Sequence, residues 1–223
     1  MNDVFREKYR GGIKMLYKLL IEATQDNLEL LVEGEGKERS HKIKGVFMQA
    51  EQKNRNGRIY PRHLMESQVN EYVNTKVKSK QAMGELEHPQ SPHINLDRVS
   101  HLIEDLRMVG NDVYGVAKLI PTATGRQAIV LMENGIQLGV SSRGLGALGS
   151  NGMVESYKLA AIDLVSNPSA YGAMVDLIIE SKEYIIENDH FVEVAYDKMK
   201  RSLDKHGSKV ALSALQDFLR SIK

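Results

Sequence analysis

Turn-forming residues cut the middle of the chain, from Ile43 to Val165, into apolar runs too short for a bundle of long helices. Ile43–Ala50 reads as a strand and is followed by the turn Asn54-Arg55-Asn56-Gly57. Pro61 suits the first turn of a helix that would carry Leu64, Val69, Tyr72 and Val73 inward. Val99–Met108 and Val113–Ile120 flank Gly110-Asn111-Asp112, which predicts a hairpin. Thr122–Glu133 reads as a helix ended by Asn134-Gly135. Ile136–Val140 and Val154–Val165 read as two strands, with the glycine-rich run Ser141–Gly149 between them taken as a turn. Several strands with a few helices make the expected class α+β.

The flanks read differently. Phe5, Tyr9, Ile13, Leu16, Leu19 and Leu20 fall near a 3.6-residue period, predicting helix over residues 3–32 with a break at Gly11-Gly12. Glu33-Gly34-Glu35-Gly36-Lys37 reads as a linker. Beyond Asn167-Pro168, Ile185, Val192, Ala195, Met199 and Leu203 form one helical stripe, and Leu212, Leu215, Leu219 and Ile222 form another. The expected organisation is a helical N-terminal arm and linker (1–36), a core (37–180) and a removable helical C-terminal arm (181–223). A chain of 223 residues has room for one such core plus extensions.

Composition narrows the chemistry. With no cysteine, disulfides, thiolate metal sites and cysteine nucleophiles are all excluded. The net charge of +1 argues against bulk nucleic acid as a partner. The basic cluster Lys53, Arg55, Arg58 is interleaved with Asn and Gly, as in a shaped turn. No run approaches the roughly 18 to 20 apolar residues of a membrane helix, and charges interrupt the opening segment where a signal peptide would be apolar. A soluble intracellular protein is expected. No cofactor or metal is implied: Glu85, Glu87 and His88 lack ligand spacing, and Gly144-Leu145-Gly146 lacks a P-loop lysine.

A few polar residues could serve a hydrolytic site, though none of them alone carries the case. A serine nucleophile needs a base, a group that orients the base, and donors for the oxyanion. Ser141 stands at the end of an apolar strand before small residues whose N–H groups can converge, with Arg143 near to neutralise charge; an ordinary polar turn is the alternative. His88, held by Pro89, is the best base, with His101 as rival and His93 in a Ser-Pro-His turn. Asp163 lies in an apolar strand and must have a partner, either a histidine that it orients or a Lys or Arg. Asp97 is the reserve.

Four blocks together resemble the prohead core proteases of large tailed bacteriophages, distantly similar to herpesvirus assemblins. They are Gly45–Glu51 with Asn54–Pro61; Gly84-Glu85-Leu86-Glu87-His88-Pro89; Gly139–Gly146; and Ile162-Asp163-Leu164-Val165 leading to Pro168-Ser169-Ala170. The resemblance spans residues 43–172. It implies a mostly antiparallel β-barrel wrapped by helices, His88 as general base and Ser141 as nucleophile. Asp163 would be the third member, with Asp97 or His101 in reserve, and Ser142, Arg143 and Gly144 would form the oxyanion site.

It further implies cleavage after Glu with an aliphatic residue two positions earlier. The chain carries that pattern at Glu22, Glu33 and Glu180, and again at Glu66 inside the core. Arg143, Arg126, Arg58 and Lys158 are the candidate cations for a Glu pocket. Phage scaffold and capsid proteins would be the substrates, inside the procapsid in the host cytoplasm, and a homo-oligomer is compatible with the sequence. A non-catalytic scaffold on a related barrel, or a small-ester hydrolase, are the competing readings.

Overall fold

A computed structural model describes residues 6–9, 12–24, 28–36, 39–149, 151–166 and 183–194. In chain order the strands and helices are β1 (Arg6–Tyr9), β2 (Gly12–Met15), β3 (Tyr17–Ala23), β4 (Glu29–Glu33), β5 (Ser40–Gln49), α1 (Arg62–Tyr72), β6 (Met83–Glu85), β7 (Val99–Val109), β8 (Asp112–Leu119), α2 (Ala123–Glu133), β9 (Gly139–Leu148), β10 (Val154–Val165), β11 (Glu183–Glu187) and β12 (His190–Glu193). β1 and β2 form a small hairpin. The others make two five-stranded sheets, ordered β10-β9-β3-β11-β12 and β4-β5-β8-β7-β6.

All ladder pairings within these sheets are antiparallel. The sheets do not close into the expected barrel. They meet at one seam, where β6 of one runs beside β10 of the other: Leu86 bridges Leu164, and Glu87 N donates to Leu164 O at 2.7 Å. The core lies between the sheets and is filled by Leu20, Ile43, Phe47, Val113, Ile162 and Leu164, each fully buried. At about 25 cal/mol per Å² of apolar area, such side chains each contribute roughly 1.5–3 kcal/mol.

The middle zone follows its turn chemistry. Gly110, at φ +64°, supplies the left-handed residue of the β7–β8 hairpin. The Thr122 hydroxyl accepts from Gly125 N and caps α2, and Glu51 accepts from Arg62 N at the start of α1.

Three expectations are corrected. The N-terminal segment is strand where helix was expected. Leu19, Leu20 and Ile21 are all buried because β3 has neighbours on both edges and both faces, and such a continuous apolar run looks helical in sequence. Residues 183–193 form a hairpin in place of a helical stripe. Asn188 and Asp189, at φ +49° and +61°, make the paired left-handed turn that suits a two-residue hairpin loop. The remainder of the expected C-terminal arm lies outside the described residues. Third, the glycine-rich run does not turn: β9 continues through Leu148. Its glycines let neighbours come close, since a Cβ on Gly144 would press on the Tyr157 ring and Lys158 O.

Gly84 at the seam is tighter still, with Ile162 O and His101 Nε2 in the place of its missing Cβ. Gly84→Ala should therefore lower unfolding stability by at least about 2 kcal/mol. Gly135→Ala, in open space at φ +81°, should cost only about 1 kcal/mol. Urea denaturation of both variants checks the contrast.

Candidate active site

The seam assembles the buried polar residues. Asp163 on β10 is fully buried, and burial pushes its carboxyl up while Arg143 opposes that shift. Arg143 Nε donates to Asp163 Oδ2 at 2.9 Å and Nη2 to Oδ1 at 3.2 Å, a two-pronged pair that suits a planar guanidinium. Arg143 Nη2 also donates to Glu85 Oε1 at 3.1 Å, and Asp163 Oδ1 accepts from Glu85 N at 3.1 Å. All three side chains are inaccessible to solvent. Of the two roles open to Asp163, these contacts are those of the structural ion pair.

Arg143 reaches further. Nη1 donates to the carbonyls of Ser91 and His93, tying the segment after His88 to the sheet. Arg98 does the same from the other side, donating to Leu86 O and Glu87 O. Glu87, at φ +59°, accepts from Ser166 N at 2.8 Å. His88 is thus placed just past the seam by a strained residue and several backbone tethers. Burial lowers its pKa to about 4; Glu87 opposes that shift, and Arg143 and Arg98 add to it. The imidazole is neutral at neutral pH, the form that can accept a proton.

Ser141 sits on β9 directly across from Asp163. Its side chain is fully buried, and its Oγ has no hydrogen-bond partner among the described residues. The two proposed reactants therefore stand on opposite edges of β10, and no Ser141–His88 hydrogen bond is formed in this structure. Ser142 points to the other face, because alternation reverses each successive side chain. Gly144 is packed under Tyr157.

The reserve residues are elsewhere. His101 is fully buried, its Nδ1 against Ser100 Oγ and its Nε2 against Ile162 O, both at 2.9 Å. Burial lowers its pKa to about 4. Asp97 is exposed in a 3-10 turn. No described helix is long and apolar enough to cross a membrane.

The Glu-containing sites differ sharply. Glu22 is buried, Glu33 is exposed at the end of edge strand β4, and Glu66 is exposed within α1. Glu180 lies outside the described residues. Sequence reasoning missed the surroundings of Glu22. Its Oε1 accepts from Arg58 Nη1 at 2.9 Å and Tyr60 OH at 2.8 Å, and its Oε2 from Asn54 and Asn56 Nδ2, both at 2.7 Å. The alternating spacing of Asn54, Asn56, Arg58 and Tyr60 was the available signal, though nothing local names their common acceptor.

The family described as prohead core protein serine protease matches residues 19–183. The chain belongs to that family. It is therefore a peptidase. A prohead core protein protease of Enterobacteria phage T4 is 36% identical over 192 residues, covering 81% of this chain and 91% of that protein. The solved structure of the bacteriophage T4 capsid assembly protease, gp21, matches with a TM-score of 0.63 and 35% identity. That match covers 67% of this chain and 98% of the other. Both strands of the seam, β6 and β10, lie inside the family match.

Removing the guanidinium should expose how much the seam depends on it. Arg143→Ala leaves Asp163 buried without its cation and Glu85 with only Arg98, at 3.4 Å, and should cost about 3–5 kcal/mol. Glu85→Gln, which keeps a hydrogen-bond acceptor, should cost less. Chemical denaturation of the two variants measures the difference.

Proposed function

We propose that the chain is a serine endopeptidase of the phage procapsid, cleaving scaffold and capsid proteins after glutamate and processing itself. The observation that carries this reading is the placement of two family blocks on one strand. β10 carries Ser141 on one edge through the Asp163 pairing, and the His88 segment on the other through the Leu86–Leu164 bridge.

In the reaction, His88 takes the proton of Ser141 as Oγ attacks the peptide carbonyl carbon. The carbonyl oxygen becomes an oxyanion, for which Ser142, Arg143 and Gly144 are the nearest candidates. The C–N bond then breaks, His88 returns its proton to the departing amine, and water releases the acyl group from Ser141. Asp163 contributes by fixing Arg143, with Asp97 and His101 less suited by their positions.

The resting arrangement is that of a zymogen. Ser141 is covered and makes no hydrogen bond to His88, whose segment is fixed by Arg143, Arg98 and Ser166. Activation brings the two side chains into hydrogen-bond contact. Among the self-cleavage candidates, Glu33–Gly34 is open to a second molecule, Glu180–Ser181 borders β11, and Glu22–Ala23 is shielded. α1 protects Glu66, because cleavage needs an extended segment. A homo-oligomer inside the procapsid would bring one molecule's arm to another's site.

A non-catalytic assembly protein on the same fold is the second reading, favoured by the unformed Ser141–His88 bond. Mass spectrometry of concentrated protein separates the two. New termini at Gly34 and Ser181, absent in both Ser141→Ala and His88→Ala, are expected from the protease. Unchanged processing in Ser141→Ala would remove the assignment.

The titration of the resting base follows from its burial. In this arrangement the His88 pKa is held near 4, below the ordinary value of 6.5, so the imidazole stays neutral down to about that pH. An NMR pH titration of His88 in unprocessed Ser141→Ala protein should place its midpoint near 4.

A further inference from the structure

The carboxylate of Glu22 is held by side chains only, two donors to each oxygen. These donors come from one tight turn. Gly57 N donates to Asn54 O, Asn54 Oδ1 accepts from the N–H groups of Asn56 and Arg58, and Ile59 is pinned to Gly152 and Val154 at the start of β10. Burial, reinforced by the Glu22 charge, raises the Tyr60 phenol well above its usual pKa, so it remains a donor. The turn is held by its own hydrogen bonds and presents four side-chain donors to a single carboxylate.

Its position matters as much as its chemistry. β3 lies in register on β9, with Glu22 opposite Ser142 and Ala23 opposite Ser141. The Glu22–Ala23 peptide thus runs alongside the nucleophile strand, and Leu20-Ile21-Glu22-Ala23 has the aliphatic-x-Glu-small pattern of the expected substrate. Beside it opens a cleft of about 430 Å³, lined in part by Glu22, Thr24, Gln49, Asn54, Tyr60 and Ser142. The other candidate cations are committed elsewhere. Arg143 serves Asp163 and Glu85, Lys158 pairs with Glu71 and Asp189, and Arg126 donates to Pro121 O.

We infer that Asn54, Asn56, Arg58 and Tyr60 form the subsite that selects glutamate in substrates, and that Glu22 fills it in cis as a stand-in for the substrate side chain. The inference rests on the proposed cleavage after Glu. A substrate strand would pair with the same edge of β9 once residues 17–23 leave it, laying its Glu into the turn. Asn54, Asn56, Arg58 and Tyr60 are specificity residues in this scheme, with no part in bond making.

The test compares cleavage of two otherwise identical peptides, Leu-Ile-Glu-Ala and Leu-Ile-Gln-Ala, by protein expressed as the full chain and first incubated at high concentration so that it can activate itself. The unaltered chain should prefer Glu by at least about tenfold in kcat/KM, the factor that one charge-assisted hydrogen bond supplies. Asn54→Ala with Asn56→Ala should collapse that ratio toward one while cleavage after Gln persists; a purely structural role would lower both rates together. Tyr60→Phe, which keeps the ring, is the milder variant if the double change does not fold.

A second arm needs no catalysis. In Ser141→Ala/Glu22→Ala protein, N-acetylglutamate amide should raise the melting temperature and N-acetylglutamine amide should not. An unchanged Glu/Gln ratio in the folded variants, or no shift with the glutamate amide, overturns the subsite. Cleavage of neither peptide by the unaltered chain would instead count against the protease reading, and the melting arm would still decide the subsite.

Discussion

Arg143 is the residue on which the two sheets agree. Its guanidinium neutralises Asp163 of β10 and Glu85 of β6, and it holds the carbonyls of Ser91 and His93. Each carboxylate alone would be costly in so dry a place, and the cation makes the pair tolerable by satisfying both at once. Because those acids belong to different sheets, one side chain fixes the seam. The loop that bears His88 inherits its position from the same contacts. One buried ion cluster thus sets the position of the His88 segment relative to β10.

A second dependence runs through β3. It stands between β9 and β11, and Thr24 N continues the ladder to Val140 O at 3.1 Å. β9 is thereby paired on both edges and Ser141 is dry. Burial of a hydroxyl without a partner among the described residues is unfavourable, by roughly 1–3 kcal/mol, and the fold accepts this cost at Ser141.

Much of the architecture was legible where a residue type has one structural use. The Gly110 hairpin, the helix that ends at Asn134-Gly135 and the helix after Pro61 all stand where the sequence places them. Legibility failed where one pattern serves two structures. Leu19-Leu20-Ile21 is as good a buried strand as a helix face, and only its neighbours decide. The glycines of β9 look like a turn until the Tyr157 ring and the Leu20 side chain that they admit are known. The Asn188-Asp189 turn was hidden because Ile185 and Val192 also fit a helical period.

The site was readable in the same partial way. The His88 and Ser141 blocks could be located by their resemblance to a family, and the Arg or Lys alternative for Asp163 was visible in its burial. That Glu22 meets the Asn54–Tyr60 turn was not, since the partners are distant in sequence and only the register of β3 on β9 joins them.

That register also dictates when the fold can be finished. β3 leaves the ribosome more than a hundred residues before either of its partners, β9 and β11, has been made. Pairing so remote in sequence is slow, and it cannot begin until β9 exists. The sheet that carries Ser141 therefore waits for β9 and β10, and a chain that ends before them leaves Leu19, Leu20 and Ile21 uncovered.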